Sequence, residues 1–276
     1  MIGVFAVIAI ITAAVLLFIA SVEDLKTREV PDYVSYFLMG SGIFIRALWF
    51  LFEKDTAIIF WMPTALLVLG GFSYMLYKSG QWGGGDVKIM AGIALLLSSF
   101  PGETIPFFFN FLINSLIVGA IYGSIGIAFT VIKNRKKVQY KWYEINLLPI
   151  SFISSIVLIY YTPLFTAFFG IFILVSILSL IFFKRVEEVG MQKDVPVKHL
   201  TEGDWLVDDV KLNNKVFLKK RNIGLTLKDI EKLKKKKEIK KVKIKTGIPF
   251  VPVFLITLFV TLLFGNVLVR IVLSSI

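Results

Sequence analysis

Two short segments of the chain contain acidic residues that could act together in hydrolysis. The segment SVEDLKTREVPD spans residues 21–32, and QWGGGDVKIM spans residues 81–90. Two aspartates held close together repel each other as anions, so one of them keeps a proton and the pair titrates as a unit. The ionised member can then activate water while the protonated member donates to a carbonyl oxygen. Asp24 and Asp86 are the candidates for such a pair.

Each segment also has a simpler interpretation. Charged residues beside a membrane helix usually serve as interfacial anchors, and this explanation suffices for any single acid of the first segment. Asp86 can likewise be a helix N-cap that accepts bonds from free backbone amides. An N-cap does not explain Gly83, Gly84 and Gly85, which precede it. Glycine permits close backbone approach and positive φ, both useful where an extended peptide lies beside a catalytic group.

The remaining composition narrows the possible chemistry to carboxylates. The chain has no cysteine and one histidine, His199. Thiolate nucleophiles, cysteine-bound zinc and a two-histidine zinc motif are therefore excluded, and we expect no metal and no cofactor. His199 is expected to be a surface or packing residue. The net charge of +12 is typical of cytoplasmic loops in polytopic membrane proteins, so we do not expect nucleic-acid binding.

The elements that must position these carboxylates are membrane helices. Hydrophobic residues make up 57% of the 276 residues, and the mean hydropathy is +0.79. A bilayer crossing requires about 20 mostly apolar residues. Stretches of this kind predict spans at residues 2–20, 33–52, 57–77, 87–100, 106–132 and 248–273, of which the fourth is short.

A longer apolar tract at residues 147–183 is nearly twice the length of one crossing. Basic residues flank both of its ends, and Pro163 interrupts its middle. The positive-inside rule places both flanks in the cytoplasm, which favours two crossings over one. This interpretation gives eight crossings, and we expect six to eight transmembrane helices in all.

A polar, basic region separates this tract from the last span. Alternating runs at residues 204–212 and 215–220 suggest strands. Thr226 and Asp229 are spaced as a helix capping pair, and residues 240–245 alternate like an edge strand. We therefore expect an all-α polytopic membrane protein with a small cytoplasmic α+β domain. The predicted division is a membrane core at residues 1–184, the polar domain at 185–247 and a last helix at 248–276.

This topology predicts that the two carboxylates can meet. Asp24 lies at the end of the first helix and Asp86 precedes the fourth. Two intervening crossings return the chain to the same face of the bilayer, and the basic loops place that face in the cytoplasm. We expect a multi-pass protein of the cell membrane with its active site facing the cytoplasm.

Three segments resemble motifs of the type IV prepilin peptidases and the archaeal preflagellin peptidases. GGGDVKIM is similar to their GxGD signature, in which Lys often follows two positions after the Asp. DLKTREVPD resembles their first catalytic motif, and GIPFVPVF resembles the segment that opens their last span. The resemblance implies that Asp24 and Asp86 are the catalytic pair, supported by Gly83, Gly84, Gly85 and Lys88.

The resemblance also implies a substrate. It predicts an aspartic endopeptidase that removes short basic leaders from archaeal preflagellins or type IV prepilin-like precursors in the lipid bilayer. The chain lacks the two CxxC pairs of the bacterial enzymes, so the archaeal branch fits better. The acidic residues Glu23, Glu29 and Asp32 are candidates to attract a basic leader.

Two other classes of protein remain as alternatives. A presenilin-like intramembrane protease shares the GxGD motif but carries an acid on the preceding helix, and residues 57–77 contain none. A transporter would use acids within its spans as a relay. The predicted spans contain few ionisable residues, chiefly Arg46 and Arg270.

Overall fold

A computed structural model describes residues 3–54, 56–133, 153, 156–157, 160, 191–212, 215–220, 224–236, 238–245 and 247–273. Within these ranges, five helical stretches are long and apolar enough to cross a membrane. They confirm the expected class, a polytopic helical protein with a small α+β region. The tract at residues 147–183, with its one or two crossings, lies outside the described part apart from a few isolated positions.

The first half of the membrane core contains six helices and one π-helical turn. Their bounds are α1 Val4–Thr27, α2 Asp32–Glu53, α3 Ala57–Ala65, the π turn Leu66–Gly70, α4 Gly71–Lys78, α5 Gly84–Leu96 and α6 Phe107–Lys133. The segments from α3 to α4 form one continuous stretch of membrane-spanning length. Pro63 lies inside α3, and the π turn follows it, as is common where a proline removes a helical hydrogen bond.

Helix α1 continues seven residues beyond the predicted end of the span at residue 20 and includes Asp24. Polar residues can continue a helix past the apolar stretch because its backbone bonds do not depend on hydropathy. The helix ends at Arg28, which adopts left-handed φ and ψ of 61° and 25° and donates its N–H to the Asp24 carbonyl. Asp24 therefore belongs to the last turn of α1 and does not lie in the following loop.

Helix α5 has 13 residues, Gly84–Leu96, fewer than the roughly 20 residues of a standard bilayer crossing. The predicted range, 87–100, was about three residues late, because the helix begins in the glycine run and stops before Ser98. Helix α5 packs closely along α2. A Cβ added at Gly42 of α2 would lie 2.9 Å from the Leu96 nitrogen, and one added at Gly92 would lie 2.7 Å from the Leu38 side chain.

Arg46 of α2 stabilises the end of this short helix inside the protein. Its side chain is 1% exposed and donates to the carbonyls of Leu96 at 3.0 Å and Ser99 at 2.9 Å. The last carbonyls of a helix lack intrahelical partners, and a guanidinium there satisfies them and complements the helix dipole. These hydrogen bonds explain why a charged residue, Arg46, lies in an otherwise apolar span.

The last membrane stretch consists of two helices, α8 Val251–Phe264 and α9 Val267–Leu273. The prediction had one uninterrupted helix here. Gly265 has a φ of 62° and breaks the helix, and Asn114 of α6 bonds to the backbone exposed by the break. Its amide donates to the Gly265 carbonyl at 2.7 Å and accepts from Val267 N–H at 3.1 Å.

The polar region between residues 191 and 245 has its own hydrophobic core. Its elements are β1 Gln192–Pro196, a 3-10 turn Val197–His199, β2 Trp205–Leu206, β3 Val210–Leu212, β4 Lys215–Leu218, α7 Leu227–Lys234 and β5 Lys241–Lys245. Strands β3 and β4 match the predicted runs. Thr226 accepts the Asp229 N–H and Asp229 accepts the Thr226 N–H, which confirms the capping pair. His199 is exposed, as expected.

Strand β5 is not at the edge of its sheet, as its lysines had suggested. The strand order is β1-β5-β2, so β5 is central and pairs antiparallel on both sides. Val242 and Ile244 point into the core while the alternating lysines face outward. Lysine is compatible with a central strand here because only one face of the sheet is covered.

Candidate active site

Asp24 is buried at the end of α1, against the beginning of α8. The residue is 6% exposed, and its Oδ2 accepts the backbone N–H of Val251 at 3.0 Å. The Phe250 N–H is a second backbone donor to this carboxyl. Both amides belong to the free N–H groups at a helix N-terminus, where an anion is favoured.

These donors come from the GIPFVPVF segment that the sequence analysis singled out without a role. Phe250 is the N-cap of α8, and Pro252 lies in its first turn. Proline is well suited to the first turn because its missing N–H has no helical partner to lose. The motif therefore starts a helix whose first amides face Asp24. Side-chain chemistry gave no signal for this contact because both donors are backbone groups.

Asp86 occupies the third position of α5, in the helix and not at its N-cap. Gly83 is the N-cap, and its N–H donates to Asp86 Oδ2 at 3.0 Å. The carboxylate thus reaches back over the first turn, as an acidic residue at this position commonly does. Asp86 is therefore not the N-cap of α5, as the simpler interpretation held, but its carboxyl still lies at the start of the helix.

The structure brings the two aspartates into electrostatic contact. Asp86 lies one residue before the predicted span, which begins at residue 87. Burial is the largest influence on the Asp86 carboxyl and raises its pKa, the Gly83 N–H lowers it, and the negative charge of Asp24 raises it. A neighbouring negative charge disfavours the ionised form of a carboxyl and so raises its pKa. The two carboxyls therefore interact although they are 62 positions apart in sequence, at 24 and 86.

The three glycines before and within the start of α5 have different surroundings. A Cβ added at Gly85 would lie 3.1 Å from Val30 Cβ, whereas one at Gly84 would meet only Tyr77 at 3.9 Å. None of the three has positive φ, contrary to one expected use of glycine. Gly85 allows the loop between α1 and α2 to approach α5, and Gly83 supplies the amide that holds Asp86.

Lys88 forms its ion pair with an acid outside the carboxyl pair. Its ammonium forms an ion pair with Asp32, at the first position of α2, and lies over the Tyr36 ring. The pair links the beginnings of α2 and α5, since the two residues belong to different helices. Asp32, one of the candidates to attract a basic leader, is therefore already partnered by a cation.

The loop after α1 also contacts the polar region. Thr201 donates its hydroxyl to Glu29 Oε1 at 2.8 Å, and the Arg28 guanidinium donates to the Gly247 carbonyl at 3.2 Å. These bonds connect the segment following Asp24 to residues on both sides of the polar domain. Glu29 is exposed and Glu23 is partly buried. Both side chains therefore reach the protein surface, and both are close to Asp24 in sequence.

Two aromatic residues complete the surroundings. The Trp82 ring packs 5.2 Å from the Phe250 ring and 5.4 Å from the Phe254 ring, between centroids. It thereby connects the glycine loop to the start of α8. Tyr122 of α6 lies near enough to Asp24 for the two side chains to interact electrostatically, and the sequence gave no indication of it.

The part of the chain that contains both aspartates is similar to known proteins. Residues 11–124 match the family model described as the type IV leader peptidase family. The prepilin peptidase EppA of Methanothermobacter thermautotrophicus is 24% identical over 153 residues, covering 50% of this chain and 39% of that protein. The preflagellin peptidase of Methanococcus maripaludis is 32% identical over 90 residues, covering 33% of this chain and 39% of that protein.

The chain thus spans less than half the length of either relative. No solved structure matches it. The matched region runs from within α1 to within α6 and contains both GxGD-type and first-motif segments. This match confirms the resemblance, since residues 11–124 are similar to the type IV leader peptidase family.

Proposed function

We propose that this protein is an aspartic endopeptidase that removes short basic leaders from archaeal preflagellins or type IV prepilin-like precursors. The observation that supports the proposal is the electrostatic interaction between the buried carboxyls of Asp24 and Asp86, each of which accepts hydrogen bonds from backbone amides. Similarity to peptidases named for prepilin and preflagellin supports the substrate class.

The proposed reaction requires only the two carboxyl groups and water. The ionised aspartate takes a proton from water, and the oxygen of that water attacks the scissile carbonyl. The protonated aspartate donates to the carbonyl oxygen as it becomes an oxyanion. This chemistry requires no metal or cofactor.

The alternatives have less support. A presenilin-like arrangement places its other acid on the helix before the GxGD helix, and the stretch Ala57–Lys78 contains no acid. A transporter requires ionisable residues along a path through the membrane. Arg46, the clearest such residue in the described spans, is instead engaged in bonds to the end of α5.

A cleavage assay with the purified chain tests the proposal directly. Membranes that contain a preflagellin or prepilin-like precursor are mixed with the enzyme in detergent, and the shortened product is identified by its new N-terminus. We expect a single cut that releases the basic leader. A precursor that remains intact under conditions in which an authentic preflagellin peptidase processes it would contradict the proposed function.

The proposal also requires that the site face the cytoplasm, where leaders lie before cleavage. The ends of α1, α4 and α6 carry the basic residues Lys26, Lys78 and Lys133. Under the positive-inside rule these ends are cytoplasmic. The turn between α2 and α3, around Lys54, then lies outside the cell. We propose this orientation together with the division into a membrane core at 1–184, a polar domain at 185–247 and a last helix at 248–276.

Cysteine labelling in this cysteine-free chain checks the orientation. We expect Thr27→Cys and Ser79→Cys to react only with reagents that reach the cytoplasm, because both positions adjoin the site, and Lys54→Cys to react from outside. All three positions are exposed. Labelling of Thr27→Cys and Ser79→Cys from opposite faces would rule out a shared site for the two aspartates.

A further inference from the structure

The two carboxyl groups have unequal hydrogen-bond partners, and this inequality distinguishes their roles. Asp24 accepts from the amides of Val251 and Phe250, at the beginning of a helix of 14 residues. Asp86 accepts one amide, that of Gly83. Hydrogen bonds donated to the ionised form of a carboxyl favour that form, so the bond pattern favours the anion at Asp24.

The charged groups around the pair support the same inequality. Arg28, at the end of α1, acts electrostatically on Asp24. The lysine on α5 that is nearest to Asp86 in sequence, Lys88, is held by Asp32. Tyr122, which faces Asp24 from α6, is neutral at ordinary pH and adds no charge.

The helix termini do not cancel this difference. Asp86 lies in the first turn of its own helix, α5, and benefits from the positive end of that helix. Asp24 lies at the opposite, C-terminal end of α1, where the dipole disfavours an anion. The beginning of α8 compensates for this placement with two amides aimed at one carboxyl, and the nearby guanidinium adds a positive charge. The amides and the guanidinium together favour the ionised form of Asp24.

We infer that Asp24 is the general base and Asp86 is the general acid of the peptidase, with the first amides of α8 positioning the base. The inference rests on the proposed function. Asp24 takes a proton from water as the water oxygen bonds to the scissile carbon, and Asp86 gives its proton to the carbonyl oxygen. When the C–N bond breaks, Asp24 passes its proton to the leaving amine, and Asp86 recovers a proton from a hydroxyl of the intermediate.

Replacement of single backbone amides by esters tests this assignment in the full-length chain. Incorporation of 2-hydroxy-3-methylbutanoic acid at position 251 removes the Val251 N–H and keeps its side chain. Incorporation of glycolic acid at position 83 removes the Gly83 N–H in the same way. The control for each is the natural amide introduced by the same suppression method, so that the paired proteins differ at only one backbone linkage.

The two esters should move opposite limbs of the pH profile of kcat/KM. The acid limb rises as the base loses its proton, and loss of a donor makes its anion harder to form. The Val251 ester therefore moves the acid limb up by about one pH unit, the size expected for one charge-assisted bond. The Gly83 ester makes Asp86 keep its proton to higher pH, so it moves the alkaline limb up by a similar amount.

The reversed result, with the Val251 ester moving the alkaline limb, would overturn the assignment, as would an unchanged profile in both esters. A second measurement does not depend on activity. At neutral pH the C=O stretch of the protonated carboxyl should change frequency in the Gly83 ester and not in the Val251 ester, because only Asp86 carries the proton. A natural-amide enzyme that cleaves no precursor at all would contradict the proposed function instead.

Discussion

Asp24→Asn and Asp86→Asn should each reduce precursor cleavage by at least about 10³-fold, near the upper range for loss of a general acid or base. An amide cannot share the proton of the pair, take one from water or donate one to an oxyanion at ordinary pH. Both side chains are nearly the same size as the carboxyl they replace, so the packing around α1, α5 and α8 is retained.

Cleavage rates of the purified variants, measured with a saturating and a limiting precursor concentration, provide the check. Asp194→Asn is the matched control, because Asp194 is an exposed aspartate on β1 of the polar domain. It should cleave at the rate of the unmodified protein. Activity within a few-fold of that rate in either the Asp24 or the Asp86 variant would exclude the paired-carboxyl mechanism.

Gly42→Leu should lower kcat/KM by about 10²-fold, the loss associated with a misplacement of about 1 Å at a catalytic group. Even a Cβ at this position would lie 2.9 Å from the Leu96 nitrogen and 3.0 Å from the Leu95 carbonyl carbon. Backbone atoms cannot rotate out of the way, so α2 and α5 must separate. Helix α5 carries Asp86, and its displacement alters the distance from that carboxyl to Asp24.

Gly40→Leu is the control for this change. Gly40 lies on the same helix, is exposed, and has no atom within 4 Å of an added Cβ. The same substitution there should leave kcat/KM within about twofold, as is usual for a surface position. The amount of each variant in the membrane is measured alongside the rate. Equal rates for both variants would show that close packing of α2 on α5 does not set the geometry of the site.

Hydropathy predicted the membrane helices well but placed their polar ends poorly. The predicted and observed stretches agree within a residue for Ala57–Lys78, whose two ends are both marked by polar residues. Helix α1 was placed too short, because Glu23 and Asp24 continue the helix after the apolar residues stop. Helix α5 was placed too late, because glycines are poor helix formers and masked its start at Gly84. Hydropathy reflects whether side chains prefer an apolar or an aqueous environment, and it does not report where helical backbone hydrogen bonds begin or end.

The carboxylates of the candidate site could be proposed from the sequence, whereas the backbone amides that donate to them could not. Asp24 and Asp86 are recognisable because carboxyl side chains carry their chemistry in the sequence. The amides of Val251 and Gly83 are common to almost every residue, so only the fold reveals which of them face the pair. Lys88, which the resemblance implies as a supporting residue, forms an ion pair with Asp32 that the sequence did not indicate.

The contact between Val251 and Asp24 has a consequence for biosynthesis. These residues are 227 positions apart, so a ribosome must make most of the protein before Asp24 meets its amide donors. At about 5–20 residues per second, this interval lasts roughly 10 to 50 s. During this interval the segment that holds Asp24 is already inserted, but its amide donors are still missing. Under the proposed function, we therefore expect no precursor cleavage until α8 has docked against α1.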